Sequence, residues 1–295
     1  MDPVADVVLG FADYRAPAQR LAAALGAAYA EVEVHRFPDG ESRVRLPTPV
    51  PPRVLFCRSL DRPNDKLVEL LLAAATAREL GAAELALVAP YLCYMRQDTA
   101  FQPGEAVSQR IIGRELARCF DTVATVDPHL HRTPVLADAV PVPRALALSA
   151  AEPLAALLAA RDDAPLLLGP DEESAQWVGA IARRAGLEHA VAAKTRSGDR
   201  AVAIELPTLA VTGRAVVLVD DVASTGRTLA EACRALHAAG AARVDVAVTH
   251  ALFAGDALAV LAEAGVGEVL STDSILHGSN AVELAPLFAA ALVEA

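Results

Sequence analysis

The sequence predicts an α/β protein with two tandem domains, each a mostly parallel β-sheet flanked by helices. Short apolar runs alternate with longer amphipathic stretches along almost the whole chain. The pattern loosens over 135–150, where Pro141 and Pro143 lie close together, and the second half then repeats the alternation. Strands separated by helices of about 10–15 residues are typical of parallel sheets covered on both faces. We therefore expect one domain over 1–142 and another over 143–295.

In the first half, strands are predicted from buried apolar runs and from period-2 alternation. The apolar runs are 7–10, 54–57, 85–89 and 122–126, and the alternating pair is 32–37 with 42–46. Pro38, Asp39 and Gly40 separate this pair and indicate a hairpin turn. Helices are expected over 17–25, 64–80 and 107–119. We expect Asn64 to cap the second of them.

The second half shows the same signals. Strands are expected over 166–169, 216–221, 244–250 and 268–272. Helices are expected over 172–185 and 228–239, and Gly186 and Gly240 follow their last residues. Glycine in that position is the usual C-terminal stop of a helix.

Composition limits the classes of protein that the chain could be. Its 295 residues carry a formal net charge of −11, which argues against non-specific nucleic-acid binding. Its four cysteines are well separated, so they suggest no zinc or redox pair. The N-terminus lacks the basic region of a signal peptide, and charged residues interrupt the longest apolar stretch. We expect a soluble, cytoplasmic protein.

The most informative motif lies at 216–228. A hydrophobic strand runs into Asp220 and Asp221, and a loop of small residues then opens a helix. The free N–H groups of such a loop and helix N-terminus form a site for a phosphate group. Gly226 allows close approach and an unusual φ, and Ser224, Thr225 and Thr228 can add hydroxyl donors. The alternative is an ordinary strand-to-helix turn with an aspartate cap.

Five further segments combine polar and charged residues near predicted strands. They are 36–46, 90–98, 125–131, 166–186 and 193–200. Asp127 and His129 are two residues apart, so on a strand they would share a face. His129 and His131 could instead form part of a zinc site, or His129 could be a hydrogen-bonded loop residue. Each of the other segments also has a plain structural reading.

The other four segments could have purely structural roles. The segment 36–46 could be a surface hairpin, and Arg96 could form a surface salt bridge. Asp171 could be only the N-cap of the next helix. The basic segment 193–200 could be a solvated loop.

Taken in order, these motifs resemble the ribose-phosphate pyrophosphokinase family. The loop at 216–228 resembles the phosphoribosyl-pyrophosphate loop of the type I phosphoribosyltransferase fold, and the chain lacks a P-loop motif. The resemblance extends from about Gly10 to Asn280, and the stretch after Asp98 is similar to archaeal-type members. It implies two tandem type I phosphoribosyltransferase-like domains.

The resemblance implies an enzyme that transfers the β,γ-diphosphate of ATP to the C1 hydroxyl of ribose 5-phosphate. The products would be phosphoribosyl pyrophosphate and AMP, and Mg²⁺ would be required. Phe37 would stack on adenine, while Asp39, Gly40 and Glu41 form the turn that recognises its amino group. In the family this hairpin comes from a neighbouring subunit, so the resemblance implies a homo-oligomer.

The same resemblance implies roles for the remaining site residues. Arg96, Gln97 and His129 would bind the ATP phosphates. His129 and Asp171 would serve Mg²⁺, with Asp127 as a further candidate. Lys194 and Arg196 would be the catalytic residues of a flexible loop, and Arg196 would also contact the sugar phosphate. Ribose 5-phosphate would be held by Asp220, Asp221, Ser224, Thr225, Gly226, Arg227 and Thr228.

The chain departs from the family pattern at several positions. Thr99 replaces a usual basic residue, Arg227 a usual glycine, and Ser224 an aspartate that many members carry. Residues 99–106 lack the stretch associated with allosteric control, so we expect no such regulation. Three rival interpretations are a nucleobase phosphoribosyltransferase, a non-catalytic paralogue that binds nucleotide or assembles with an active enzyme, and an enzyme with another acceptor sugar.

Overall fold

A computed structural model describes residues 4–197, 201–206 and 210–294, with the side chains of 194–197 and 201–205 outside that description. The chain forms two compact units. Residues 1–148 and 284–295 make up the first, and residues 149–283 make up the second. The boundary expected between 142 and 143 stays a prediction.

The first unit is a seven-stranded sheet with helices, in the strand order β3-β2-β1-β4-β5-β6-β7. Its elements are β1 (Val7–Phe11), α1 (Arg15–Leu25), β2 (Ala28–Arg36), β3 (Ser42–Arg45), β4 (Arg53–Cys57), α2 (Pro63–Glu79), β5 (Glu84–Val88), α3 (Ser108–Cys119), β6 (Thr122–Val126), α4 (Leu136–Ala139), β7 (Arg144–Leu148) and, from the end of the chain, α9 (Ala285–Glu294). Only the β2–β3 pair is antiparallel among the pairings of this sheet.

The core of the first unit forms because alternate residues of its strands are large and apolar. Leu9, Phe56 and Leu87 come from three adjacent strands, and the core cluster to which they belong also contains Leu70 of α2. Helix α1 approaches β1 closely at Gly10, where an added Cβ would lie 2.9 Å from that of Ala18. Because the strands from β1 to β7 other than β3 run parallel, their carboxyl ends lie at one edge of the sheet. Ligands of open α/β sheets bind at this edge.

The second unit contains a six-stranded, fully parallel sheet in the order β15-β14-β13-β12-β8-β9. Its elements are α5 (Ala151–Ala159), β8 (Leu166–Gly169), α6 (Ala175–Ala185), β9 (His189–Val191), β10 (Ala193–Ser197), β11 (Ala201–Glu205), β12 (Ala215–Ala223), α7 (Arg227–Ala238), β13 (Arg243–Ala251), α8 (Ala257–Glu263), β14 (Val269–Thr272) and β15 (Asn280–Val282). Strands β10 and β11 form a separate antiparallel hairpin.

The two predicted mostly parallel sheets flanked by helices are confirmed. The predicted cap at Asn64 is wrong, because helix α2 begins at Pro63 and Arg62 is its N-cap. Asn64 Oδ1 instead accepts a hydrogen bond from the Tyr94 hydroxyl at 2.5 Å. Within the described ranges, no helix combines the length and apolar character needed to cross a membrane.

Candidate active site

The phosphate-type loop of the second unit connects β12 to α7. Gly226 is the N-cap of α7 and has a left-handed φ of 70°, a conformation that glycine adopts without strain. Because glycine has no side chain, it cannot cap the first-turn N–H groups of the helix, which remain suited to an anion. Ser224 and Thr228 are half-buried, and Thr225 and Arg227 are exposed.

The segment after β13 holds this loop in place. The Phe253 N–H donates to the Ala223 carbonyl at 2.8 Å, and the Ala254 N–H donates to the Ser224 carbonyl at 2.9 Å. An added Cβ at Gly226 would lie 3.2 Å from the Ala257 carbonyl oxygen. The loop is thus fixed by backbone contacts, which leaves its own side chains available for a ligand.

Asp220 and Asp221 lie within β12, which continues to Ala223. The expectation that the strand ends at these two aspartates is therefore wrong by two residues. The Asp221 N–H donates to Asp220 Oδ1 at 2.9 Å. Burial, together with the negative charges of Asp221 and Asp171, raises the pKa of Asp220 well above its usual value.

Asp171 follows the end of β8, the strand that neighbours β12. Its Oδ1 accepts from the Ser174 N–H at 3.3 Å, and the Ser174 hydroxyl donates to the Asp171 carbonyl at 2.5 Å. Asp171 is thus the N-cap of a 3-10 turn at 172–174 that leads into α6. Its charge also acts on Asp220, so three carboxylates meet at the carboxyl edge of β8 and β12.

Lys194 and Arg196 lie in β10, so the segment predicted as a basic loop is a strand at 193–197. Antiparallel pairing places Lys194 opposite Ile204 and Arg196 opposite Val202. Their side chains lie outside the described part of the chain. Residues 198–200 also lie outside it.

In the first unit, every residue at the tip of the β2–β3 hairpin, from Phe37 to Glu41, is exposed. The Phe37 N–H donates to the Glu41 carbonyl at 2.8 Å, and the Glu41 N–H donates to Asp39 Oδ1 at 3.1 Å. Gly40 has a φ of 94°, which the turn requires. Phe37 is 42% exposed, and its ring meets the His35 ring edge-on with their centroids 4.7 Å apart. The predicted hairpin is confirmed, and its tip presents an aromatic ring beside two carboxylates.

The segment after β5 carries Arg96, which is exposed, and Gln97, whose Oε1 accepts from the Ser108 hydroxyl at 3.1 Å. Asp98 is buried and accepts from the Arg132 backbone N–H at 3.0 Å and from Arg132 Nη1 at 2.9 Å. This pair connects the Arg96 loop to the loop that contains His129. We did not expect the pair, because residues 34 positions apart give no local signal.

The loop at 127–131 follows β6, which ends at Val126. Asp127 has a left-handed φ of 37°, so the expectation that Asp127 and His129 share a strand face is wrong. The His129 and His131 rings are nearly parallel, with 16° between their planes and their centroids 6.5 Å apart. Among the residues that the structure describes, no three His, Cys, Asp or Glu side chains are grouped to hold a metal ion by themselves.

A cleft of about 750 Å³ opens at the carboxyl edge of β1 and β2 in the first unit. Its lining is strongly charged and comprises Phe11, Ala12, Asp13, Glu31, Val32, Glu33, Val34, Arg36, Arg58 and Glu69. None of these residues was a predicted site residue. Arg36 connects the cleft to the hairpin tip, since it is the last residue of β2.

Comparison with protein-family models defines the class of protein. A model described as the N-terminal domain of ribose phosphate pyrophosphokinase matches residues 7–119, and a phosphoribosyl transferase domain model matches residues 147–270. Both sheets thus belong to phosphoribosyltransferase-type domains in tandem. The chain belongs to the ribose-phosphate pyrophosphokinase family, whose members transfer a diphosphate group.

Individual relatives agree with this assignment. The chain is 38% identical to the ribose-phosphate pyrophosphokinase of Methanopyrus kandleri over 93% of its own length and 94% of the relative's. It is 37% identical to that of Halobacterium salinarum over 93% and 96% of the two chains. The predicted likeness to archaeal-type members is confirmed.

A solved structure shows the same fold. Phosphoribosylpyrophosphate synthetase from Mycobacterium smegmatis superposes with a TM-score of 0.84 at 23% identity, covering 98% of each chain.

Proposed function

We propose that the chain transfers the β,γ-diphosphate of ATP to the C1 hydroxyl of ribose 5-phosphate. The product would be phosphoribosyl pyrophosphate, with AMP as the leaving group. The observation that carries this proposal is the loop at 224–228, an uncapped helix N-terminus directly beyond the carboxylates of β12. Membership of the ribose-phosphate pyrophosphokinase family indicates that the ligand of this loop would be ribose 5-phosphate.

The second unit would bind the acceptor. The phosphate of ribose 5-phosphate would accept hydrogen bonds from the N–H groups at the start of α7 and from the hydroxyls of Ser224, Thr225 and Thr228. Asp220 and Asp221 would accept hydrogen bonds from the sugar hydroxyls. Arg227 is exposed at the first position of α7 and would add a cation to the phosphate.

The first unit would bind the nucleotide. Phe37 would stack on adenine, and the turn of Asp39, Gly40 and Glu41 would accept hydrogen bonds from its amino group. Because the residues of this tip are exposed in the single chain, they are accessible to a neighbouring copy. The proposal therefore includes a homo-oligomer whose adenine site is shared between subunits.

Arg96, Gln97 and His129 would hold the ATP phosphates. Arg96 is exposed, and its planar guanidinium can bind a phosphate through two N–H groups at once. The Asp98–Arg132 pair would fix the two loops that carry these residues.

The residues present fit a magnesium ion bound together with substrate. Mg²⁺ is usually held by one or two carboxylates plus substrate phosphates, so a three-residue protein cage is not required. Burial and the negative charges of Asp221 and Asp171 raise the pKa of Asp220, and a cation beside these carboxylates would offset their charge. Asp171 and His129 would serve the ion, with Asp127 as a further candidate. Bound Mg²⁺ would neutralise charge on the transferring diphosphate.

Catalysis in this reaction depends on positioning and on counter-charge, because negative charge spreads over the transferring group. Lys194 and Arg196 would supply that charge from β10, and Arg196 would also contact the acceptor. Closure of the segment around them would exclude water from the reacting groups.

The test is an assay of AMP formation from ATP, with and without ribose 5-phosphate and with and without Mg²⁺. The proposal predicts AMP only when both are present, and a product that a phosphoribosyltransferase can consume. If AMP forms with another pentose phosphate and not with ribose 5-phosphate, that other sugar phosphate is the acceptor. A folded sample that forms no AMP would instead indicate a non-catalytic paralogue, and consumption of phosphoribosyl pyrophosphate with a free base would indicate a nucleobase phosphoribosyltransferase.

A further inference from the structure

The carboxylate of Glu69 joins both stems of the exposed hairpin to the body of the first unit. Its Oε1 accepts from Arg36 Nε at 2.8 Å and from the Ser42 hydroxyl at 3.2 Å. Arg36 is the last residue of β2, and Ser42 is the first residue of β3. One oxygen atom thus contacts the chain on each side of the hairpin tip.

The other carboxylate oxygen of Glu69 is bound by Arg58. Arg58 Nη2 donates to Oε2 at 2.7 Å, and its Nε donates to Asp13 Oδ1 at 3.1 Å. The Arg58 guanidinium also stacks on the Phe11 ring, with its Cζ 4.1 Å from the ring centroid. The side chains of Glu69 and Arg58 are 1% and 3% exposed, so this network is held inside the unit.

The bonds described within the tip itself do not orient it. They run between Phe37 and Glu41, between Gly40 and Phe37, and from Glu41 to Asp39. They fix the shape of the turn but leave open its angle to the sheet. The Glu69 contacts at Arg36 and Ser42 join both ends of the tip to α2.

We propose that Glu69 is a positioning residue for nucleotide recognition, acting through Arg36 and Ser42 to orient the tip that carries Phe37, Asp39 and Glu41. This inference rests on the proposed function, because it takes the tip to be the adenine-binding element. The carboxylate is required and not merely its shape. An amide at this position has one acceptor oxygen, so either Arg36 or the buried Arg58 would lose its hydrogen bond to residue 69.

The experiment compares E69Q with D245N. Asp245 is a matched control in the second unit, since its side chain is 1% exposed and lies between Arg161 and Arg243. For E69Q we expect faster amide hydrogen exchange over 36–42, and a rise in KM for ATP of about tenfold, as for loss of one charge-assisted hydrogen bond. The KM for ribose 5-phosphate should stay unchanged, and the preference for ATP over GTP should narrow. D245N should lower the melting temperature without these effects.

S42A and R36A provide a second route if E69Q does not fold, because both leave the buried Arg58–Glu69 pair intact. Each should raise exchange over 36–42 and KM for ATP. Unchanged exchange at the hairpin, or an unchanged KM for ATP in active enzyme, would overturn the inference. A wild-type protein that forms no AMP would refute the proposed function instead, and the exchange data would still decide whether Glu69 orients the tip.

Discussion

At the scale of single residues, the second unit holds mutually repelling carboxylates just before the loop at 224–228. Asp220 keeps its carboxylate close to those of Asp221 and Asp171, and both burial and this repulsion raise its pKa. A carboxyl whose pKa is raised by folding binds protons more tightly in the folded state. Its ionised form therefore destabilises the fold, and this loss of stability grows as pH rises through the folded pKa.

The Asp220→Asn variant should therefore be more stable than the wild type at pH 7. Relief of the repulsion should raise the melting temperature by about 2–4 °C per kcal/mol gained, while kcat/KM for ribose 5-phosphate falls. Thermal melts at pH 4 and pH 8, together with the AMP assay, test both parts. The stability gain should be larger at pH 8, and a variant less stable than wild type at pH 8 would contradict this account.

Substitution of Lys194 tests the catalytic role proposed for β10. Lys194→Ala should leave folding intact and reduce turnover by about two orders of magnitude or more, since under the proposed function it would remove a positive charge from the transferring group. Arg184→Ala is the control, because Arg184 is an exposed cation on α6 of the same unit and has no proposed role. Near-normal turnover of Lys194→Ala would remove the role proposed for β10.

At the scale of elements, two loops of the first unit are joined by an ion pair between the buried carboxylate of Asp98 and the exposed side chain of Arg132. Burial opposes ionisation of Asp98, but hydrogen bonds from Arg132 prevail and lower its pKa. A lowered carboxyl pKa contributes stability that is present above the unfolded pKa and is lost as pH falls through the folded one. The loops that carry Arg96 and His129 should therefore lose their mutual contact as pH falls through the folded-state pKa of Asp98.

Asp98→Asn and Arg132→Ala should each destabilise the protein by about 1–3 kcal/mol at pH 7 and raise KM for ATP. The double variant should cost less than the sum of the two, because the residues share one interaction. Denaturant unfolding at pH 7 and at pH 3 tests the charge dependence. The difference between wild type and Asp98→Asn should shrink at pH 3, and strictly additive losses would show that the pair does not couple the loops.

Strands were predicted from buried apolar runs or from alternation, and several edge strands without a buried run were missed. Strand β8 is buried throughout and reads as an apolar run. Strands β7, β9 and β15 lie at or next to sheet edges, are only partly buried and carry no such run. The left-handed turn at Asp127 gave no signal because it uses no glycine.

The loop at 224–228 and the aspartates of β12 were predicted from a local motif, and the roles of the other candidate site residues from the resemblance to a known family. The contacts that hold them were not. Glu69 with Arg36 and Asp98 with Arg132 join residues 33 and 34 positions apart. Such pairs depend on how the strands and helices pack, and no local pattern in a single sequence predicts that packing.

At the scale of the whole molecule, the chain does not divide into two contiguous parts. Helix α9 belongs to the first unit, although it follows the second in sequence. Arg144 Nη2 donates to the carbonyls of Ala291 and Leu292 at 3.1 and 2.9 Å, which satisfies two acceptors near the C-terminal end of the helix. The apolar face of α9 includes Phe288, which is 1% exposed, and the helix packs against α1.

The last residues of the chain should therefore stabilise the unit that contains the first residues. Phe288→Ala should cost about 3–5 kcal/mol, as expected for truncation of a buried aromatic side chain. Hydrogen exchange should then accelerate in α1, over 15–25, before it changes over 149–283. Leu261→Ala is the matched control, since Leu261 is buried in the core of the second unit and its loss should leave α1 protected. Accelerated exchange over 149–283 in Phe288→Ala, with α1 unchanged, would place α9 energetically in the second unit.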